Sequence, residues 1–171
     1  ELEDLPMMLR YETACERDLY HTVGDLYHQA YQKAVLAQAL LHDSAAKENL
    51  KVVYTPLHGT GYHPVTGVLD KDGFTQVYVP DSQKEPDPAF CTVHSPNPEE
   101  KEALQLAIDY AAELGADIVL GTDPDADRVG AAVWNGTEYV LLTGNQTGAL
   151  LADYVLSQKD VDKKSVLVKT I

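Results

Sequence analysis

Apolar positions along the chain recur at two spacings, one helical and one extended, and their alternation predicts the order of elements. Between Arg17 and Leu41, the residues Leu19, Val23, Leu26 and Ala30 fall at three- and four-residue steps with no proline among them. That predicts a helix over 17–41, weakened at Gly24. Residues 1–16 mix charges without a period and read as a connecting segment. After the polar stretch His42 to Asn49, the β-branched run Lys51-Val-Val-Tyr-Thr55 is closed by Pro56, Gly59 and Gly61, the pattern of a buried strand running into a loop. Residues 63–71 suit a short helix before the Asp72-Gly73 turn, and 75–79 a second strand ended by Pro80. Five prolines at 80, 86, 88, 96 and 98 keep residues 80–98 out of regular structure and predict a long surface loop. In Ser95-Pro-Asn97-Pro98-Glu99-Glu100 a capping Asn, an early Pro and two acids predict the start of a helix reaching about Leu114. Its stripe is Ala103, Leu106, Ala107, Tyr110 and Leu114, and it stops at Gly115. Residues 116–120 and 129–134 read as strands, and Asn135-Gly136 as the turn of a hairpin that returns through 138–142. Thr143-Gly-Asn145 starts a helix to about Ser157, and 165–171 begins a last strand. Strands and helices alternate and end in a hairpin. The expected fold is therefore α/β, a three-layer α/β/α sandwich with a mainly parallel mixed sheet and an antiparallel edge hairpin.

Charge narrows the range of partners. Thirteen Lys and Arg stand against 27 Asp and Glu, a net charge of −14 that repels a phosphodiester backbone or an anionic membrane surface. Neither nucleic acid nor a membrane is expected as a partner. With 44% hydrophobic residues the chain can bury a core, and no run approaches the roughly 18 apolar residues of a membrane span. Cys15 and Cys91 are far apart and match no CxxC spacing, so neither a thiolate metal motif nor a disulfide framework is indicated, and a cytoplasmic location is expected. The acidic opening Glu1 to Asp4 is unlike a secretory signal, and a chain that opens on Glu is expected to be a piece of a longer protein. A negatively charged substrate would need local relief from this field.

Residues 121–128, Gly-Thr-Asp123-Pro-Asp125-Ala-Asp127-Arg128, follow an apolar strand directly. Three carboxylates at alternate positions repel one another and, in an extended loop, project to one side, which calls for a positive charge among them. Pro124 biases Asp123 toward an extended backbone and preorganises the loop. Such an oxygen array suits a hard divalent cation, Mg²⁺ above all, with Asp123, Asp125 and Asp127 as ligands and open positions for water and a phosphate oxygen. An EF-hand requires Gly at the sixth position and Glu at the twelfth, where this chain has Arg128 and Trp134. A solvated acidic turn would use the same residues without a metal. A phosphoaspartate-type phosphotransferase would make Asp123 the nucleophile, but Asp127 turns that arrangement into a cage.

The run Thr122 to Arg128 resembles the metal-binding loop of the α-D-phosphohexomutase family, the phosphoglucomutases and phosphomannomutases. That family usually has Gly where this chain has Pro124 and Ala126. Tyr54-Thr-Pro-Leu-His58-Gly59-Thr60-Gly61 resembles the segment opening the family's second domain, and Pro96-Asn97-Pro98-Glu99 another motif of that domain. The resemblance implies a four-domain enzyme that moves a phosphoryl group between O1 and O6 of a hexose phosphate through a phosphoserine and a bisphosphorylated intermediate. It implies that residues 17–142 correspond to the second domain and 143–171 to the start of the third. Asp123, Asp125, Asp127 and a phosphoserine oxygen would hold one Mg²⁺, and Arg128 would either set positive charge beside the phosphoryl group or pair with the neighbouring carboxylates.

Several departures limit what this chain does alone. Nothing matches the family's Thr-Ala-Ser-His-Asn-Pro nucleophile loop, and Ser95 reads as part of a helix start. The sugar-reading Gly-Glu-x-Ser loop is absent, so the sugar is not specified and the isolated chain is expected to be inactive. His58, in a glycine-flanked loop after a strand, is a candidate active-site contact, and Gly59-Thr60-Gly61 a candidate phosphate cradle. His21, His28, His42 and His63 have no ligand-like spacing. A non-catalytic acidic interaction domain is the alternative outside enzymology.

Overall fold

The computed structural model describes residues 10–41, 44–159, 162 and 164–168. Its elements are α1 (Tyr11–Glu16), α2 (Asp25–Leu36), α3 (Ser44–Asn49), β1 (Lys51–Thr55), α4 (Tyr62–Lys71), β2 (Gln76–Tyr78), α5 (Asp81–Lys84), α6 (Lys101–Leu114), β3 (Ile118–Thr122), β4 (Val129–Trp134), β5 (Tyr139–Leu142) and α7 (Gly144–Gln158). The five strands form one sheet in the order β2-β1-β3-β4-β5. β1 runs parallel to β2 and β3, whereas β4 is antiparallel to both β3 and β5. Four strands thus share a direction and β4 alone opposes them, the mainly parallel sheet with an edge hairpin.

The core lies under α6. Register aligns Tyr78, Val53, Val119, Ala132 and Leu141 in one row across the sheet. Against that row pack Leu104, Ala107, Ile108 and Ala111 of α6. Right-handed crossovers explain the layers: the step from β1 to β2 goes one way across the sheet and the step to β3 goes back, which puts α4 and α6 on opposite faces. Gly115, at φ 62, ends α6 in the left-handed conformation, where glycine escapes the penalty a Cβ would incur.

Several boundaries differ from expectation. Residues 17–24 are not helical: Asp18 has φ 57 and Gly24 is an extended cap, so the helix starts at Asp25. Leu19, Val23 and Leu26 are exposed and form no buried stripe. The connecting segment contains α1, the polar stretch before β1 contains α3, and the proline-rich loop contains α5, anchored by fully buried Gln83. Helix α6 starts at Lys101 because Asn97 is spent on an Asx turn, its Oδ1 accepting from the Glu99 N–H at 3.2 Å. Its buried stripe is Ala103, Leu104, Ala107, Ile108 and Ala111. β3 lies two residues later than expected because small Gly121, tight against Leu104, and Thr122 extend it. Residues 165–168 are not a strand, and 169–171 and His42 lie outside the described residues. Among the described residues no helix is long and apolar enough to cross a membrane.

Candidate metal centre

Because β1 and β3 are parallel neighbours, with Thr55 opposite Gly121, the loops after them leave the sheet side by side at its carboxyl edge. Buried Tyr54 and Thr122 join their hydroxyls at 2.8 Å below the two loops. Above them the loops interlock. A Cβ on Gly59 would collide with the Pro124 backbone, and one on Gly61 with the Tyr54 and Thr122 hydroxyls. Thr60 donates its N–H at 2.8 Å and its hydroxyl at 3.1 Å to the Pro124 carbonyl. The Gly59 N–H goes to Pro56 O. Gly59-Thr60-Gly61 is therefore a clamp on the acidic loop and not a phosphate cradle, since the amides of Gly59 and Thr60 are already taken.

The acidic loop is wound tightly. Ala126 sits at φ 59, and its N–H closes on Asp123 O at 3.0 Å. Asp123, 3% exposed, accepts the Asp127 and Arg128 N–H groups on Oδ1 at 3.1 and 3.0 Å. Arg128 Nε lies 3.2 Å from Asp123 Oδ2 and 3.8 Å from Asp127 Oδ1. Asp125 and Asp127 are exposed. One oxygen from each of the three aspartates lies within 4.8 Å of the others.

The electrostatics follow from that crowding. Burial pushes the Asp123 carboxyl up, but the Arg128 N–H, a hydrogen bond from Asp127 and the Arg128 guanidinium outweigh it and hold the group below its ordinary value. Asp127 moves the other way, raised by its hydrogen bond to Asp123 and then by the charges of Asp125 and Asp123. Three carboxylates against one guanidinium leave a surplus of negative charge. An all-oxygen donor set with two exposed arms and one anchored arm fits a hard divalent cation.

A cleft of about 370 Å³ opens on Asp123, Asp125 and Arg128, with Ser95, Pro96 and Asn97 as its other wall. Gly130 of β4 seats that wall, because a Cβ there would strike the Pro98 carbonyl. The sequence pattern marked Ser95 as part of a helix start and Pro96-Asn97 as part of a motif, without assigning either to the cleft. The signal was the Pro-Asn-Pro run itself, too stiff to be helix and placed to face another loop. His58 is elsewhere. It is buried at φ 62, with Nε2 2.7 Å from Thr92 Oγ1, in a cluster with Asp87 and Cys91 and off the cleft wall. His21, His28 and His63 are exposed.

A family model for phosphoglucomutase/phosphomannomutase, alpha/beta/alpha domain II, matches residues 29–136. The chain belongs to the phosphoglucomutase/phosphomannomutase family. This member is 40% identical over 149 residues to the phosphoglucomutase of Staphylococcus haemolyticus strain JCSC1435, covering 86% of the chain and 27% of that protein. It is 38% identical over 126 residues to the phosphoglucomutase of Staphylococcus aureus strain N315, covering 73% and 23%. The mutase-family chain thus spans about a quarter of the length of these relatives. A crystal structure of a Thermus thermophilus protein assigned as a phosphomannomutase superposes with a TM-score of 0.62 at 26% identity, covering 81% of this chain and 30% of that one. A phosphoglucomutase/phosphomannomutase family protein from Burkholderia thailandensis shares the fold at a TM-score of 0.60 and 22% identity, covering 76% and 26%.

Proposed function

We propose that this chain is the part of a phosphosugar mutase that carries its magnesium loop, in an enzyme moving a phosphoryl group between the 1- and 6-positions of a hexose phosphate. The convergence of Asp123, Asp125 and Asp127 within 4.8 Å carries this reading, on a loop clamped beside an open cleft in a mutase-family fold. The three aspartates would hold Mg²⁺, which when bound supplies positive charge and Lewis acidity at the transferred group. Asp123 is the fixed arm, anchored by two N–H donors, and Asp125 and Asp127 are the adjustable ones. Arg128 lends its Nε to Asp123 and Asp127, and the rest of its guanidinium, in a side chain 59% exposed, would be open to phosphate oxygens. We assign residues 17–142 to the second domain and 143–171 to the start of the third. The phosphoserine and the sugar-reading groups belong to other parts of the protein, in a cytoplasm where sugar phosphates and free thiols are at home.

Crowding counts against a phosphoaspartate mechanism. Asp125 and Asp127 each bring an oxygen within 4.8 Å of Asp123, a cage that suits a cation better than it suits attack on an anionic phosphoryl group. The test is Asp125→Asn in the full-length protein, assayed for conversion of sugar 1-phosphate to 6-phosphate across a Mg²⁺ titration. We expect turnover to fall by about 100-fold and the Mg²⁺ requirement to rise. Unchanged turnover and metal response would leave an acidic interaction domain instead. Trapping of Asp123 by a phosphate-mimicking fluoride would favour the phosphoaspartate enzyme.

A further inference from the structure

We propose that His58, Asp87 and Cys91 form a second metal site, suited to Zn²⁺ or a similar borderline transition ion and separate from the Asp123 loop. One ligand atom of each residue lies within 4.8 Å of the other two. The imidazole is the decisive group. His58 is 4% exposed, and its Nε2 sits 2.7 Å from Thr92 Oγ1, while Nδ1 takes no hydrogen bond among the described residues. No buried side-chain nitrogen or oxygen among them lacks a partner, so Nδ1 keeps a path to solvent. A histidine held on one nitrogen and free on the other is how ligating histidines are presented, the second N–H being donated to an outer group that orients the ring.

That outer group is itself fixed. Thr92 Oγ1 accepts from Gln83 Nε2 at 3.0 Å, buried Gln83 accepts from the Thr55 hydroxyl at 2.8 Å, and Thr55 Oγ1 accepts from the Leu57 N–H at 3.1 Å. The imidazole is thereby tied to the end of β1. The other two ligands share one turn, in which Asp87 Oδ1 accepts from the Ala89 N–H at 2.9 Å and Oδ2 from the Cys91 N–H at 3.3 Å. The Asp87 N–H bonds His58 O at 3.1 Å and brings that turn onto the imidazole loop. Nitrogen, sulfur and one oxygen select borderline ions, whereas the three oxygens of the Asp123 loop select hard ones. The two clusters would therefore sort divalent ions by softness. Three protein ligands leave a fourth position for water. An ion at His58 would also tie the 87–91 turn to the loop that clamps Pro124.

The test is a Co²⁺ titration of the full-length protein, read as the thiolate-to-cobalt charge-transfer band in the difference spectrum between the native protein and Cys91→Ser. We expect one equivalent of Co²⁺, displaced by Zn²⁺, with the band lost in Cys91→Ser and the affinity at least about 10-fold weaker in Asp87→Asn. Cys15→Ser and Asp123→Asn should keep the band, and Cys91→Ser should keep the Mg²⁺ response. Absence of a difference band, or an equal band after unfolding in urea, would overturn the site. Loss of the Mg²⁺ requirement would instead bear on the Asp123 loop and leave this site standing.

Discussion

Single backbone angles decide how the acidic loop is held. Ala126 adopts φ 59, where a Cβ costs about 1–2 kcal/mol, and glycine would remove that strain while returning about 0.5–1 kcal/mol of unfolded-state entropy. Ala126→Gly should therefore stabilise the protein by roughly 0.5–1 kcal/mol, seen as a higher urea midpoint at unchanged slope. Gly59 is the reverse case. Its Cβ space is filled by the Pro124 backbone, so Gly59→Ala should cost roughly 2 kcal/mol and weaken Mg²⁺ activation in the full-length enzyme, because either loop must move. Tyr54 adds a pH dependence. Burial pushes its phenol up to about 12 from 10.0, against the opposing pull of the Thr122 hydrogen bond. The folded pKa lies above the unfolded one, so the stabilisation is complete below the unfolded value and disappears as pH climbs from there to the folded value. The loss should amount to roughly 2–3 kcal/mol. In Tyr54→Phe, urea unfolding followed into the alkaline range should show a flatter decline, after a cost of about 1 kcal/mol at neutral pH for the missing hydroxyl bond.

At the level of elements, legibility followed whether the deciding contact was local. The capping box of α7, with the Thr143 side chain accepting from the Gln146 N–H and Gln146 returning to Thr143, is written in four adjacent residues and was readable as a helix start. The Asn135-Gly136 hairpin was readable for the same reason, Gly136 having φ 97. The stripe of α6 was not. Leu104, Leu106, Ile108 and Tyr110 surround that helix with apolar groups, so two overlapping stripes satisfy a helical period, and only the β1–β3 surface chooses between them. The choice has an energetic signature. Leu104→Ala, at a fully buried position against the sheet, should cost about 2–5 kcal/mol, and Leu106→Ala, half-buried, well under half of that in the same urea titration. Helix α2 misled for a different reason. Leu26, Tyr27 and Tyr31 are exposed, so its apolar residues mark no core and its start is set by the extended Gly24.

For the whole molecule, the cluster of three aspartates was legible and its surroundings were not. Asp123, Asp125 and Asp127 declare themselves by alternate spacing, whereas the Thr60 clamp on Pro124 spans 64 residues and the Ser95 wall faces the acidic loop only after β4 is in place. That geometry also bounds what this chain does by itself. Among the residues lining the cleft, Arg128 is the one cation beside two aspartates, in a chain of net charge −14. A sugar phosphate brought to that cleft would meet net repulsion, which Mg²⁺, on the proposed function, would relieve at the transferred group but not along the rest of the ligand. On the same proposal, its hydroxyls and second phosphate position would need donors beyond the residues that line this cleft. The isolated chain should therefore show no conversion of glucose or mannose 1-phosphate at any Mg²⁺ concentration, and only weak Mg²⁺ binding by calorimetry. The full-length protein should convert one or both and lose that activity on chelation. Turnover by the isolated chain would mean that it holds a nucleophile of its own, and Ser95, on the wall facing Asp123, would be the first side chain to replace.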